Sequence, residues 1–116
     1  MSRKDRGCLL AVIDSIGKIL EYVKGIPTAT DYFQSKMAFD ATLMNFIQIG
    51  EMVDRLSKEL KAEHLEVDWQ RVKDFRNIVA HDYLGVDADE VWQIIINDLP
   101  PLRDAIKKIL LTLASD

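Results

Sequence analysis

The stretch FRNIVAHDYLG, residues 75 to 85, sets Arg76, Asn77, His81 and Tyr83 within eight positions, spaced by small apolar residues. A histidine titrates near neutral pH and can take or give a proton. An arginine stays charged throughout and offers a planar fork that matches two phosphate oxygens. The two together suit the cleavage of a phosphate ester. Cutting RNA through its own 2′-hydroxyl needs a base for that proton, an acid for the 5′-oxygen and positive charge at phosphorus. The motif supplies one histidine per chain, whereas general acid–base cleavage prefers two. A twofold dimer that apposes two copies supplies both. Tyr83 has no place in that proton traffic, because an unperturbed tyrosine titrates far above neutrality.

At about 100° per residue, Arg76 and Tyr83 fall on one helical stripe and Asn77 and His81 on the next, so all four can line one broad face. A plainer account is available for each residue type. A histidine near a helix C-terminus interacts favourably with the dipole, and a tyrosine often buries its ring with the hydroxyl outward. Other candidates are weaker. Asp87 to Glu90, DADE, has the look of a carboxylate metal site, but no Gly-Ser phosphate loop precedes it and an N-cap accounts for Asp87. His64 has carboxylates beside it and no second imidazole at ligand spacing, so it is expected in solvent. Glu51 is either a solvent-facing residue or a buried partner that orients Arg76. Met37, Met44 and Met52 read as core or interface filler.

The elements that must position these residues are helical. Leu9, Val12, Ile13, Ile16, Ile19, Leu20 and Val23 recur at three- and four-residue intervals over residues 8–23, and Gly25 with Pro27 ends that helix. Residues 26–35 connect onward, with a turn of helix expected at 31–34. A longer helix is predicted from Ser35 to Leu60, with Phe39, Leu43, Phe46, Ile47, Val53, Leu56 and Leu60 on its apolar stripe. Gly50 lies inside it, where glycine costs about 1 kcal/mol relative to alanine and suggests either the close approach of another helix or simple sequence drift. Asp68 can cap a third helix carrying Trp69, Val72, Phe75 and Val79 inward, and Gly85 ends it or the turn after it. Asp87 with Glu90 fits a capping box for a fourth helix through Asp98. Pro100 and Pro101 should break or kink the chain before a last stripe at Leu102, Ile106, Ile109 and Leu113. The expectation is a single all-α domain over residues 1–116, an up-down bundle of four to five helices.

Composition narrows the function classes. The 116 residues suffice for one domain and are too few for two. The lone cysteine, Cys8, rules out an internal disulfide and fits a reducing cytoplasm. The basic and apolar start faintly imitates a signal peptide, but Asp14 and Lys18 interrupt it and its apolar residues keep helical spacing. No apolar run approaches the roughly 20 residues that span a bilayer. A net charge of −4 argues against a general nucleic-acid coat, since phosphate contacts need clustered cations. Arg71, Lys73 and Arg76 still leave a local basic site around the motif.

RNIVAHDY has the form Arg-x-x-x-x-His-x-Tyr, which resembles the signature of HEPN domains of the HepT type. FIQIGEMVDRLSKEL is similar to that family's Ile-Gly-Glu segment, and VDWQRVKDFRNIVAHDYLGVDADEVWQIIINDLPPL follows its Trp, Arg-Asn, His-x-Tyr, Val-Trp and Asp-Leu-Pro pattern. The likeness covers about residues 35 to 105 with no departure at the motif positions. It implies a helical homodimer acting as the toxin of a type VII-like toxin–antitoxin pair, a metal-independent endoribonuclease needing no cofactor. Arg76 and His81 would be the catalytic pair, with Asn77 and Glu51 in support. Tyr83 would accept AMP from a nucleotidyltransferase (MNT-type) antitoxin. The alternative is a non-catalytic helical module that grips a nucleotide or a partner protein. It would need mainly the charge of Arg76, whereas a ribonuclease needs His81 for turnover.

Overall fold

The computed structural model describes residues 2–77 and 88–114. Among them there is no strand, and seven α-helices are described: α1 (Arg3–Tyr22), α2 (Ala29–Gln34), α3 (Lys36–Arg55), α4 (Lys58–Glu63), α5 (Trp69–Lys73), α6 (Ala88–Gln93) and α7 (Leu99–Ala114). A π-helical turn, Ile94–Asp98, links α6 to α7. None of these helices is long and apolar enough to cross a membrane.

The core is the apolar stripes read from the sequence, laid against each other. Leu9, Val12, Ile16 and Ile19 of α1 are fully enclosed and face Leu43, Phe46, Ile49 and Val53 of α3. Ile106 and Ile109 of α7 close the same cluster, while the side chain of Leu113 lies outside those described. Burying each such side chain is worth about 1.5–3 kcal/mol. The expected turn at 31–34 is a full helix, because the Thr28 hydroxyl caps it by accepting the Asp31 N–H at 3.1 Å. Its Tyr32 stacks between Phe39 and Trp92, which ties α2 to α6. Burial pushes the Tyr32 hydroxyl up to about 12. It donates to Thr42, whose own proton goes to the Phe39 carbonyl at 2.8 Å.

Three expectations change. Helix α1 begins at Arg3, five residues before the apolar stripe, because Ser2 accepts the Asp5 N–H at 3.0 Å and caps it. The single helix expected from Ser35 to Leu60 is two. The backbone turns extended at Leu56, and Ser57 starts α4 by accepting the Leu60 N–H at 3.2 Å. Buried Asp5 fixes that break from across the fold, accepting the Ser57 N–H at 2.9 Å and its hydroxyl at 2.6 Å. Finally, Pro100 and Pro101 do not break the chain. They sit in the first turn of α7, and the π turn, with its wider winding, leads helically into it.

Candidate functional site

The helix that carries the motif starts as the sequence implies. Asp68 Oδ1 accepts the Arg71 N–H at 3.1 Å, and Trp69, Val72 and Phe75 are buried. A turn at Asp74 interrupts the helix, after which residues 75–77 are helical again. His81, Tyr83, Val79, Gly85 and Asp87 lie outside the described residues, so the site is built here from Arg76 and what surrounds it.

Gly50 is the hinge pin of that environment. A Cβ added there would lie 2.9 Å from Arg76 Cβ, 3.0 Å from the Lys73 carbonyl oxygen and 3.2 Å from Arg76 N. The mid-helix glycine therefore marks a close helix approach, with α3 laid directly on the backbone of residues 73–76. One turn earlier on α3, Phe46 meets Phe75, the neighbour of Arg76, edge to face with ring centres 5.5 Å apart. Both contacts fix where the Arg76 stem leaves its helix.

Two residues of α3 beside that joint are acidic. Glu51 Oε1 lies 3.5 Å from Arg76 Nη1, and Asp54 Oδ2 lies 3.5 Å from the same nitrogen. The other oxygen of Asp54 takes Lys73 Nζ at 3.0 Å. The Lys73 hydrogen bond and charge, with a smaller contribution from Arg76, hold the Asp54 carboxyl below its ordinary range. Glu51 thus combines the two alternatives open to it: it is part-exposed and also pairs with Arg76. Asn77 is exposed beside them. Asp54 was not singled out from the sequence. The available signal was its place one turn beyond Glu51, matching the one-turn spacing of Lys73 and Arg76.

The basic group Arg71, Lys73 and Arg76 does not form one patch. Arg71 faces the other way and donates to Asp98 Oδ2 from Nη2 at 2.5 Å and from Nε at 3.2 Å. His64 is not in open solvent as expected. Its ring is largely covered and sits 3.2 Å from Glu66, while its carbonyl accepts the Trp69 indole N–H at 2.9 Å. Met37 and Met44 are strongly exposed and fill no core, unlike Met52, which packs on it. Among the described residues no group of three or more His, Cys, Asp or Glu is placed to hold a metal ion.

A helical fold that sets Arg76 against two carboxylates of α3, in a sequence that carries Arg-x-x-x-x-His-x-Tyr, defines the class. A family model described as Ribonuclease HepT-like matches residues 12–109. A Methanocaldococcus jannaschii protein named as a gamma-glutamylcyclotransferase and "putative RNase" is 32% identical over 99 residues, 85% of this chain and 44% of that one. The chain thus spans under half the length of that relative. A "putative RNase" of Caldanaerobacter subterraneus subsp. tengcongensis is 32% identical over 92 residues, 79% of this chain and 81% of its own. A "probable ribonuclease HepT" of Thermococcus cleftensis is 26% identical over 109 residues, 94% of this chain and 98% of its own. No solved structure matches. The chain belongs to the HepT-like family.

Proposed function

We propose that the chain is an endoribonuclease toxin that cuts RNA without a metal ion. The observation that carries this reading is the family match over residues 12–109, which spans the whole motif and the α3 segment that carries Glu51. Arg76 binds the scissile phosphate. His81 takes the 2′-hydroxyl proton or protonates the departing 5′-oxygen, and the 2′-oxygen attacks phosphorus. The products are a 2′,3′-cyclic phosphate and a 5′-hydroxyl. Asn77 supports the phosphate contact from the neighbouring stripe.

A homodimer supplies the second histidine. Met37, Met44 and Glu51 recur at seven-residue spacing and so share one stripe of α3, with the two methionines 88% and 66% exposed. Such an uncovered apolar stripe leading to the Arg76 neighbourhood supports a second copy seated there. The partner antitoxin is a nucleotidyltransferase that adds AMP to Tyr83, and the pair works in the cytoplasm. The added phosphodiester gives Arg76 an anion to hold and the adenosine blocks RNA.

Incubating the purified protein with labelled RNA in EDTA, beside His81→Ala, tests the catalytic part. Wild-type cleavage that disappears in the folded variant is expected. Equal cleavage by both removes His81 from the chemistry; none by either, while RNA still binds, leaves a binding module instead. Mass spectrometry of protein co-expressed with its nucleotidyltransferase should find AMP on the Tyr83 peptide. An unmodified peptide from suppressed cells would sink that step.

A further inference from the structure

An arginine that must meet a phosphate has a long stem, and something must hold its head where the phosphate will arrive. Three features of α3 converge on this one. Gly50 lets the helix touch the backbone at residues 73–76, which sets the root of the side chain. Glu51 and Asp54 then reach its head, but they are not equivalent. Their exposures are alike, 44% and 41%, but Glu51 reaches the head from a longer and more flexible stem. Asp54 has a shorter stem, and its other oxygen is anchored on Lys73 at 3.0 Å. Its carboxylate is therefore fixed at one oxygen and presents the other to Arg76.

We propose that Asp54 is a positioning residue of the site, a carboxylate bridge that uses Lys73 as its anchor and sets the orientation of the Arg76 guanidinium. The proposal rests on the ribonuclease reading and deepens it. Two properties of the bridge suit that task. At 3.5 Å its contact with Nη1 is an ion pair and not a formed hydrogen bond, so a phosphate that offers hydrogen bonds can draw the fork forward. Lys73 also offsets the Asp54 charge, so the carboxylate can stand beside an RNA site without repelling the backbone. Glu51, Asp54, Lys73 and Arg76 sum to no net charge. Removing Asp54 leaves one positive charge in excess and an arginine without its guide.

That predicts opposite effects on binding and turnover. In Asp54→Asn, RNA should bind more tightly at low salt, with KM falling roughly two- to fivefold, the scale of one exposed charge pair. At the same time kcat should fall by about 10- to 100-fold, the scale of a misplaced binding group. Asp54→Glu keeps the charge and should recover most of kcat. The measurement is steady-state cleavage of labelled RNA in EDTA by the full chain, with the 15N side-chain resonance of Arg76 recorded in each variant without RNA. In Asp54→Asn that resonance should move and sharpen as the head is released. Wild-type kcat in Asp54→Asn overturns the proposal. So does a fall in kcat at unchanged KM that Asp54→Glu fails to restore, which is the pattern of lost folded protein. If wild-type protein cleaves no RNA, the ribonuclease reading fails, and the resonance still decides the bridge. An Arg76 signal indifferent to Asp54→Asn rejects it.

Discussion

Arg71 and Arg76 lie five residues apart, on either side of the turn at Asp74, and end in opposite circumstances. Arg71 gives two donors to a single oxygen of Asp98, one at 2.5 Å, and the contact raises its already high pKa further through that hydrogen bond and charge. Among the described residues Arg76 touches two different carboxylates through one nitrogen, each at 3.5 Å. A fork committed to one carboxylate is a tie between elements, here between α5 and the π turn. A fork held loosely by two is placed without being used up. Charge alone does not distinguish the pair, nor does sequence distance from the motif. What separates them is how completely each guanidinium's bonding capacity is already spent.

The largest effects should fall on the loosely held side. Arg76→Ala and His81→Ala are each expected to lower RNA cleavage by about 10²–10⁴-fold, the usual loss for one positioned acid, base or charge. Thermal stability should barely change, since among the described residues Arg76 makes only long, part-exposed contacts. Paired rate measurements and melting curves check this. A folded His81→Ala protein that arrests growth as wild type does would remove the contrast between the two arginines altogether.

Stability should instead track the committed contacts, of which Asp5 is the extreme case. It is 3% exposed, with bonds from both the N–H and the hydroxyl of Ser57. Burial by itself would push its carboxyl up. The hydroxyl and N–H of Ser57, with Ser2 and Lys4 behind them, outweigh that and hold it below the ordinary 3.8. A depressed carboxyl contributes stability that is complete above its unfolded value and is lost as pH falls through the lower folded one. Wild type should therefore weaken progressively below pH 3.8, a dependence that Asp5→Ala flattens. At neutral pH that variant should lose about 1.5–3 kcal/mol, the worth of hydrogen bonds to a buried charge, with activity per folded molecule intact. Denaturant titration at several pH values measures both.

Much of this architecture could be read along the chain, and the failures share a cause. The apolar stripes of α1, α3 and α7 and the Asp68 cap are local patterns, and they are where the spacing put them. The break at Ser57 was hidden because Leu56 and Leu60 continue the stripe. The partner that fixes it, Asp5, is 52 residues away. Ile94 to Ile96 read equally well as α or π turn, since both bury the same residue types. At the site, Arg76 was legible from its motif, and Gly50 announced a close approach without naming the partner. Asp54 was silent because its meaning comes only from the pairing of α3 with residues 73–76, a tertiary fact.

That pairing can be tested alone. Gly50→Ala should gain up to about 1 kcal/mol of helix propensity and lose about 1–3 kcal/mol to overpacking, because the new methyl meets the root of Arg76 and the Lys73 carbonyl rather than a movable side-chain end. The expected net is a small destabilisation with a cleavage loss of about tenfold, as residues 73–76 are pushed off α3. The Arg71–Asp98 contact on the far side should persist. Unchanged kinetics in a folded Gly50→Ala protein would mean that the position of α3 does not govern Arg76.

The smallest effects should come from cutting the Arg71–Asp98 tie. The partners are 58% and 33% exposed, and ion pairs in such surroundings are worth about 1 kcal/mol or less and weaken with salt. Arg71→Ala should therefore lower the melting temperature by a few degrees at most and leave kcat as it was. Its charge was already spent on Asp98, so RNA binding should change little. Asp98→Asn is the informative partner, because it releases a guanidinium without removing it. The freed charge adds one uncompensated cation near the motif and should strengthen RNA binding at low salt while turnover stays constant. Titrations at two salt concentrations, run on both variants, separate these outcomes. If Arg71→Ala instead lowers kcat as far as Arg76→Ala does, a committed arginine is catalytically as important as a loosely held one. Bonding capacity then cannot be what tells the two apart.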